Sequence, residues 1–422
     1  MSTNRLGPSP GLPWVPVIPL GSAYVAASAR KAGHAVKLLD LCFEERPEEA
    51  LMQSIDTFGP EAIGLSFRNV EMMTYFRQIS FVDDLKALVR ICRDGSKAKV
   101  ILGGPGFSVM PEAILQSTGA DLGLVGEGEW SFPRMLEGLD APGVIRNDNG
   151  SIKRTAPAHQ GSVDELPLPA RELIDLERYA AAGGTANIQT KRGCPFECIY
   201  CTYPLIEGRK VRCRNPALVA EEFSLLGREY GMRQAYVVDN QFNYPHDHAV
   251  EICKGLAAIR REARIHWTCM LNPGYVSDEL VFLLRMTRCA MVDLSIESAS
   301  DRMLKNLGKN FTVAQIGEAI RLLKRYKLPF STWILLGGPG ECEETVRETL
   351  ESLARFNVPQ VLFSIGIRIC PGTRLETIVQ DPGRTYCLAM EPERIVELVA
   401  PYCHDFPGWR IAALDHDDKT TS

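Results

Sequence analysis

Three cysteines in the middle of the chain have a spacing suited to metal chemistry. Cys194, Cys198 and Cys201 follow the pattern CxxxCxxC, directly after a short β-like run at residues 186–190. A 4Fe-4S cluster takes four ligands, usually Cys thiolates. A set of three therefore leaves one iron open to a small molecule, and chemistry could occur at that iron.

Two other interpretations of these cysteines use the same spacing. The three positions would form one stripe of a helix, where Cys is a common buried residue. Gly193 and Pro195 instead favour a loop that enters a helix. A structural zinc site wants a fourth Cys or His, usually in a second matching knuckle, and no such knuckle is evident in the sequence.

The motif resembles the signature of radical S-adenosylmethionine (SAM) enzymes, which have an aromatic residue, here Tyr200, before the third cysteine. Residues 192–196, Arg-Gly-Cys-Pro-Phe, are typical of the branch that also carries a cobalamin domain. The resemblance implies a 4Fe-4S cluster on Cys194, Cys198 and Cys201 that binds SAM at its open iron. One electron from this cluster would cleave SAM to a 5′-deoxyadenosyl radical, while the protein supplies placement and electrostatics.

Composition limits the other possibilities. The 422 residues, 45% of them hydrophobic, predict two or three globular domains. A net charge of −5 gives no global electrostatic reason to bind nucleic acid or an anionic membrane, so we expect neither partner. Thirteen cysteines without a disulfide-like framework predict reduced thiols in the cytoplasm. Residues 11–29 are uncharged, but their prolines argue against a continuous apolar helix there. No other stretch is long and apolar enough to span a bilayer.

Residues 21–140 alternate between helix-like and strand-like segments. This α/β alternation predicts a doubly wound, Rossmann-like parallel sheet, whose ligands lie beyond the carboxyl ends of its strands. The predicted strands are residues 35–39, 62–66, 98–102 and 121–125, and the predicted helices are residues 21–31, 48–57, 82–93 and 111–117.

Three loops follow the last three of these strands and contain most of the candidate ligand contacts. Glycines let the backbone approach a large ligand closely, although ordinary turns explain single glycines equally well. The order of the loops, together with Pro19-Leu20-Gly21, resembles the cobalamin-binding domain of cobalamin-dependent radical SAM enzymes. The resemblance implies cobalamin contacts from Ser66, Phe67, Arg68, Asn69, Gly103, Gly104, Pro105, Gly126, Glu127 and Gly128.

The sequence departs from that family in two places. Only a short Pro-rich lead precedes Pro19, so we expect the first strand of the sheet to be missing or replaced by residues 14–18. An Asp-x-His-x-x-Gly motif is also absent, so we expect no His ligand to cobalt. Arg68 could lie near the lower face of the cofactor, but a guanidinium has no lone pair to donate.

After the cysteines, five strand-like segments each follow a helical pattern, and with residues 186–190 before the cysteines they predict an incomplete TIM-like (β/α)6 barrel. The strands are residues 186–190, 234–238, 265–268, 291–295, 330–335 and 361–365. Active groups gather at the carboxyl ends of such strands. By resemblance, Glu297 and Ser295 hold the ammonium and ribose of SAM, and Glu297 is a catalytic candidate. The full set of implied SAM contacts is Tyr200, Asp239, Asn240, Ser295, Glu297, Gly337, Gly338, Pro339 and Arg368.

The predicted boundaries place a cobalamin-binding domain at residues 1–145, a connector at 146–185, the radical SAM domain at 186–380 and a short extension at 381–422. A group of basic residues near the cysteines predicts either a solvated face or a docking site for an acidic reductant such as flavodoxin or ferredoxin. This group is Lys191, Arg192, Arg209, Lys210, Arg212 and Arg214.

The resemblance is strongest to the methyltransferases of the family. It implies methylation of an unactivated carbon on a small-molecule or peptide substrate, through methylcobalamin and a 5′-deoxyadenosyl radical. A non-methylating enzyme with both cofactors, catalysing cyclisation, ring contraction or oxidation, is the alternative. A non-catalytic cobalamin or redox sensor is a third interpretation. Substrate contacts in this family come from variable loops, so the sequence does not identify the substrate.

Overall fold

The computed structural model describes residues 16–71, 75–76, 78–148, 151–159, 161–381 and 384–412. The first sheet has the order β1-β2-β3-β4-β5, in which β1 to β3 are parallel and β4 and β5 form an antiparallel hairpin. Its strands are β1 (Ala62–Ser66), β2 (Lys99–Gly103), β3 (Leu122–Leu124), β4 (Val144–Asp148) and β5 (Ser151–Arg154). The helices are α1 (Leu20–Lys31), α2 (Pro47–Phe58), α3 (Val82–Gly95), α4 (Pro105–Val109), α5 (Pro111–Thr118) and α6 (Gly128–Leu136).

The predicted strand at residues 35–39 is wrong, because these residues have no regular secondary structure, although Val36, Leu38 and Leu39 are partly buried. In a doubly wound sheet the second strand pairs with the first. In the described part of the chain no strand precedes residue 35, so this segment has no partner. Of the predicted substitute at residues 14–18, the first two residues lie outside the described part. Val17 pairs with Thr185, away from the first sheet.

The second sheet has seven parallel strands in the order β16-β13-β12-β11-β10-β9-β6. These strands are β6 (Ala186–Ile188), β9 (Gln234–Val237), β10 (His266–Leu271), β11 (Cys289–Leu294), β12 (Phe330–Leu336), β13 (Val361–Ile365) and β16 (Trp409–Ile411). Two short hairpins accompany it, one of β7 (Lys191–Arg192) and β8 (Arg212–Cys213) and one of β14 (Ile367–Arg368) and β15 (Tyr386–Cys387).

One helix precedes the strands of this partial barrel, and the others follow or connect them. These helices are α7 (Leu176–Ala181), α8 (Tyr203–Glu207), α9 (Pro216–Arg228), α10 (His246–Ala263), α11 (Asp278–Met286), α12 (Asp301–Asn306), α13 (Val313–Arg325), α14 (Glu343–Arg355), α15 (Arg374–Val379) and α16 (Pro392–Asp405). Along β12, side chains at alternate positions are buried in the core beneath these helices, and the positions between them face the barrel interior. The long helix α10 contains Ala249, Ile252, Cys253 and Leu256 on its buried face, the spacing of an amphipathic helix.

Two domain boundaries differ from the predicted positions. Strand β4 crosses residue 145 and pairs with β5, so the first sheet extends into the predicted connector. Strand β16 lies beyond residue 380 and pairs with β13, so the barrel has seven strands and not six. Its three residues are too few to show a strand period in the sequence, although Trp409 is buried in the main core. In the described parts of the chain, every helix is too short or too polar to cross a membrane.

Candidate active site

The three cysteines lie on one loop between β7 and α8, here called the cysteine loop (residues 193–201). Gly193 has a φ of +88°, and a Cβ atom there would lie 2.2 Å from the carbonyl oxygen of Lys210. Glycine is therefore required at the start of this loop. The next residue, Cys194, donates its backbone N–H to the Gly208 carbonyl at 3.0 Å. Neighbouring backbone thus fixes the entry to the loop.

Burial raises the pKa of the Cys194 and Cys198 thiols, and it raises the pKa of Cys201 to about 12. The mutual proximity of the three sulfurs contributes to the increase. A bound metal deprotonates such thiols, because it stabilises the thiolate directly. In the described residues the thiols do not converge on a single ion. A 4Fe-4S cluster binds each thiolate to a different iron and fits this arrangement.

A buried ion pair lies against the cysteine loop. The Lys309 ammonium binds the Glu297 carboxylate, and the two side chains are only 5% and 15% exposed. Lys309 also donates to the Cys198 sulfur, and the Tyr200 hydroxyl donates to Glu297. Burial disfavours the ammonium, but the charges of Glu297 and Cys198 hold the pKa of Lys309 above its ordinary value. We call Glu297 and Lys309 the cluster-side pair.

The segment that carries Lys309 packs directly on the cysteine loop. A Cβ atom on Gly308, whose φ is +73°, would lie 2.4 Å from the Glu197 carbonyl oxygen. The Leu307 carbonyl accepts the Ile199 N–H at 3.0 Å. These contacts place Lys309 beside the cysteines, and sequence reasoning missed it because no recognised motif contains it.

The other member of the pair, Glu297, follows β11 and has a φ of +59°. Its backbone pairs with β12: the Glu297 N–H donates to the Trp333 carbonyl at 3.1 Å, and the Leu335 N–H donates to the Glu297 carbonyl at 2.9 Å. The left-handed backbone of Glu297 is unfavourable for a residue with a side chain, so the surrounding structure must impose it. Such imposed conformations occur most often at functional sites.

Three buried side-chain oxygens at the carboxyl ends of the strands have no hydrogen-bond partner. They are Ser295 Oγ, Asn240 Oδ1 and Gln241 Oε1. Buried polar atoms in proteins are nearly always paired, so three unpaired oxygens together fit a ligand that supplies donors. An ammonium and two ribose hydroxyls are donors of this kind.

Glu207 orients one of these residues and was also missed by sequence reasoning. Its carboxylate accepts from the Gly193 N–H at 3.1 Å and from Asn240 Nδ2 at 3.1 Å. Burial raises the pKa of Glu207, and the charge of Arg192 acts in the opposite direction. Because the Asn240 amide nitrogen is held by Glu207, its oxygen is left for a ligand. No sequence signal distinguishes Glu207 from a surface carboxylate.

Four buried charges join the two domains, and we call them the domain-joining set. Arg192 lies 2.6 Å from Glu129 and 3.5 Å from Glu127, and Arg212 also pairs with Glu127. The acids belong to the loop after β3 and the start of α6, and the arginines belong to the β7–β8 hairpin. The predicted cobalamin loop is therefore attached to the hairpin that leads into the cysteine loop.

The prediction of a solvated or docking basic face is wrong for most of its residues. Lys191 and Arg214 are 3% and 5% exposed and pair with Asp239 and Glu222, respectively. Arg192 and Arg212 are in the domain-joining set. These cations neutralise buried carboxylates, which composition and spacing cannot show. Only Arg209 and Lys210 of that group are exposed.

Loops at the carboxyl ends of β1 and β2 pack tightly on each other. A Cβ atom on Gly104 would lie 2.7 Å from the Phe67 carbonyl oxygen, and one on Gly106 would lie 2.7 Å from the Arg68 carbonyl oxygen. The side chain of Phe67 is buried in the core of the first domain. Gly104 and the Phe67 side chain therefore have structural roles, and the predicted cobalamin contacts of both residues stay predictions.

Arg68 lies in the first of these loops and has no carboxylate partner in the described part of the chain. Partial desolvation lowers its pKa, and interactions with Tyr203, which follows the cysteine loop, and with Tyr179 act in the opposite direction. Its side chain is exposed, and a guanidinium without a carboxylate partner can donate to a ligand rich in hydrogen-bond acceptors. Cobalamin, with its amide carbonyls and phosphate, is such a ligand. Ser66 and Gly103 end the two strands below this loop pair.

Comparisons with known proteins agree with this geometry. The B12 binding domain model matches residues 15–136, and the Radical SAM superfamily model matches residues 188–353. The chain is 27% identical over 368 residues to an uncharacterized methyltransferase of Pyrococcus horikoshii, covering 85% of this chain and 77% of the relative. It is 24% identical to a tryptophan 2-C-methyltransferase of Streptomyces laurentii, covering 84% and 71%.

Solved structures extend the comparison to three dimensions. The radical SAM methyltransferase TsrM from Kitasatospora setae, with cobalamin and a [4Fe-4S] cluster bound, has a TM-score of 0.78 at 25% identity, covering 85% of this chain and 74% of that chain. The cobalamin-dependent radical SAM enzyme OxsB has a TM-score of 0.74 at 17% identity, covering 92% and 64%.

This chain belongs to the cobalamin-dependent radical SAM enzymes. Both family models, their order along the chain and the two-domain fold agree on that conclusion. Its cofactors are a 4Fe-4S cluster, SAM and cobalamin, and the predicted fold class of two parallel-sheet α/β domains is confirmed.

Two predicted SAM contacts have other partners within this enzyme. Asp239 is buried and accepts from the Thr190 N–H at 2.7 Å and from Lys191 Nζ at 3.0 Å, so its carboxylate faces the protein. Arg368 binds Glu71 of the first domain at 2.5 Å and the Thr385 carbonyl at 3.1 Å. The side chains of both residues are therefore held by protein partners, and their predicted SAM contacts stay predictions.

The glycine turn after β12 has the position predicted for it. Gly337 has a φ of +94° and donates its N–H to Glu341 at 3.1 Å. The Pro339 carbonyl accepts from Asn306, which lies on the helix before Lys309, and Gly338 packs against Leu307. The turn is thus linked to the segment that carries Lys309. The predicted SAM contacts of Gly337, Gly338 and Pro339 stay predictions.

Proposed function

We propose that this enzyme is a C-methyltransferase that acts on an unactivated carbon of a small-molecule or peptide substrate. The observation that carries the proposal is the domain-joining set, because these buried charges attach the cobalamin loop to the hairpin that positions the cysteine loop. A rigid attachment serves an enzyme in which both cofactors act on one substrate. Methyltransferases among the relatives support the same reaction class.

Different residues of the site would bind the cluster and SAM. Cys194, Cys198 and Cys201 hold the cluster, which supplies the electron for SAM cleavage, while cobalamin carries the methyl group. The cluster-side pair is complementary to the amino-acid end of SAM, whose ammonium and carboxylate match Glu297 and Lys309, respectively. The two side chains neutralise each other before SAM arrives and can exchange partners when it binds.

The remaining site residues orient SAM and exclude water. The unpaired oxygens of Ser295 and Asn240 can accept from its hydroxyls, and Glu207 holds the Asn240 amide in place. A reductant such as flavodoxin or ferredoxin would have to approach the cluster from outside. Arg209 and Lys210, exposed on the loop between β7 and β8, are the basic residues left for an acidic partner.

The proposal is tested by anaerobic reconstitution with iron, sulfide and hydroxocobalamin, followed by incubation with SAM labelled with deuterium in its methyl group. Reaction mixtures containing candidate metabolites are analysed by mass spectrometry for S-adenosylhomocysteine, 5′-deoxyadenosine and a product heavier by one labelled methyl group. We expect all three to form together. Deoxyadenosine with a cyclised, contracted or oxidised product that lacks the label would contradict methylation and favour the alternative chemistry.

A further inference from the structure

The interior of the barrel contains an aromatic surface that the packing leaves open. On β12 the side chains of Thr332 and Ile334 are buried under the helices, whereas Trp333, between them, is 47% exposed. β12 is a central strand, paired on one side with β11 and on the other with β13. An exposed indole on a central strand can therefore face only the barrel interior. TIM-type barrels normally fill that interior with side chains, so this one keeps space for a ligand.

Trp333 is adjacent to the SAM site. The Trp333 carbonyl accepts the backbone N–H of Glu297, so Trp333 is hydrogen-bonded to one member of the cluster-side pair. Leu335, the next residue on the same face, packs in the small cluster that contains Ile199 of the cysteine loop. A molecule stacked on the indole would thus lie on the same strand face as the residue that packs on the cysteine loop.

A carboxylate lies on the strand beside Trp333. Asp293 is on β11 between Val292 and Leu294, which are buried under the helices, so Asp293 faces the interior. It is two residues before Ser295, a separation of roughly 7 Å along a strand. The register pairs Asp293 with Met270 on one side and Ser331 on the other.

Asp293 has no cationic partner in the part of the chain that the structure describes. Its side chain accepts a hydrogen bond from the Ser331 hydroxyl. Its charge, together with burial, raises the pKa of Tyr236, which faces the same interior from β9. Arg410, a cation that also faces the interior, lies on β16, three strands away. A half-buried carboxylate with a single hydroxyl donor and no cation beside it fits a ligand that supplies a positive charge.

Resting on the proposed function, we propose that Asp293 and Trp333 select the substrate of this methyltransferase, and that the substrate is an aromatic small molecule or side chain bearing a protonated amine. The ring stacks on the Trp333 indole, and the ammonium binds Asp293. Both contacts are favourable for a cationic aromatic molecule, because an indole face attracts cations as well as rings. A carboxylate-bearing analogue would meet the uncompensated charge of Asp293.

The test compares two probes that share a phenyl ring and chain but carry opposite charges: phenethylamine and 3-phenylpropanoate. Binding to the reconstituted enzyme is measured by isothermal titration calorimetry without SAM. We expect phenethylamine to bind at least about tenfold more tightly, a difference of about 1.4 kcal/mol, because only its ammonium can form a charge-assisted hydrogen bond with Asp293. Asp293→Asn should abolish the preference, and Trp333→Ala should weaken both probes.

The matched control is Glu351→Gln, which removes an exposed carboxylate from α14 on the outside of the same barrel. It should leave the affinities of both probes unchanged. Equal binding of the two probes, tighter binding of 3-phenylpropanoate, or an Asp293→Asn variant with the preference of the parent protein would overturn the proposal. Binding of neither probe would overturn it as well. Because no SAM is turned over, failure here is distinct from failure to methylate.

Each variant is checked for folding by its thermal unfolding midpoint and its iron content. Asp293→Asn keeps the shape of the side chain, so the Ser331 contact is retained. If it nevertheless failed to fold, Asp293→Ser provides a second test of the charge, with the same expected loss of preference.

Discussion

The cluster-side pair and the domain-joining set are both buried ion pairs, but their surroundings differ. Around Glu297 and Lys309 there are unpaired oxygens on neighbouring strand ends, and the backbone of Glu297 is in an unfavourable conformation. Arg192, by contrast, is held by Glu127, Glu129 and the Gln189 side chain. One ion pair is placed where a ligand can replace its partners, and the other is enclosed by protein.

This difference indicates which charges act on a ligand and which hold the architecture. Buried ion pairs contribute little net stability compared with apolar residues of similar size, but removal of one partner is strongly destabilising. In the domain-joining set a substitution should therefore lower the stability of the folded protein. In the cluster-side pair the same type of substitution should change SAM binding first.

The largest effect is expected from Arg192→Met. It leaves the Glu129 and Glu127 carboxylates buried without their shared cation, at a cost of about 3–5 kcal/mol. We expect a thermal unfolding midpoint lowered by several degrees or more, together with weaker retention of cobalamin. Arg209→Met, an exposed position on the same segment, is the matched control. Equal midpoints for the two variants would refute the structural role of Arg192.

A smaller and more local effect is expected from Glu297→Gln. Loss of the carboxylate removes one charge-assisted contact, worth roughly 1.5–3 kcal/mol, so SAM affinity or the rate of deoxyadenosine formation should fall about tenfold or more. Iron content should stay at the level of the parent protein. Lys309→Met should also weaken SAM binding, because it removes the partner for the SAM carboxylate.

The matched control for this comparison is Glu197→Gln, which changes an exposed carboxylate on the same cysteine loop that lies 3.6 Å from Arg374 at the surface. It should bind SAM like the parent protein. If Glu297→Gln and Glu197→Gln had the same affinity and the same rate per cluster, Glu297 would have no role in the SAM site.

The smallest effect concerns pH and the glycine turn after β12. Burial raises the pKa of Glu341 from 4.5 to about 7. A raised pKa means that the folded state binds a proton more tightly than the unfolded chain, so this stabilisation is complete below pH 4.5 and is lost as pH rises through 7. Between pH 6 and pH 8 the loss is about 1 kcal/mol.

This contribution is measured by thermal unfolding at the two pH values. The parent protein should become less stable from pH 6 to pH 8 by more than the Glu341→Gln variant does. Glu351→Gln should behave like the parent protein. Identical pH dependence in all three proteins would show that Glu341 does not titrate in this range.

Sequence reasoning found the features that depend on local pattern. The cysteine spacing, the alternation of helices and strands, and the strand ends at Ser295 and Gly337 all follow from residues close together in the chain. These features were sufficient to predict both domain types. The six predicted barrel strands are present with small differences at their ends.

The missed features depend on contacts between distant residues. Lys309 meets Glu297 from twelve residues away through a turn fixed by Gly308, and Arg192 meets Glu129 across 63 residues. A sequence shows that Arg192 is basic but not that a carboxylate from another domain neutralises it. For the same reason Asp239 resembled a ligand-binding residue until its contacts with Lys191 were known.

The central claim is that the cysteine loop holds the cluster that this chemistry requires. It is tested most directly by iron and sulfide analysis, with visible absorption, of the anaerobically reconstituted variant Cys194→Ala/Cys198→Ala/Cys201→Ala beside the control Cys92→Ala. Cys92 is a buried thiol in the core of the first domain. We expect about four irons per chain in the control, as a 4Fe-4S cluster requires, and none in the triple variant. Iron, sulfide and cluster absorption retained in the triple variant would contradict the account.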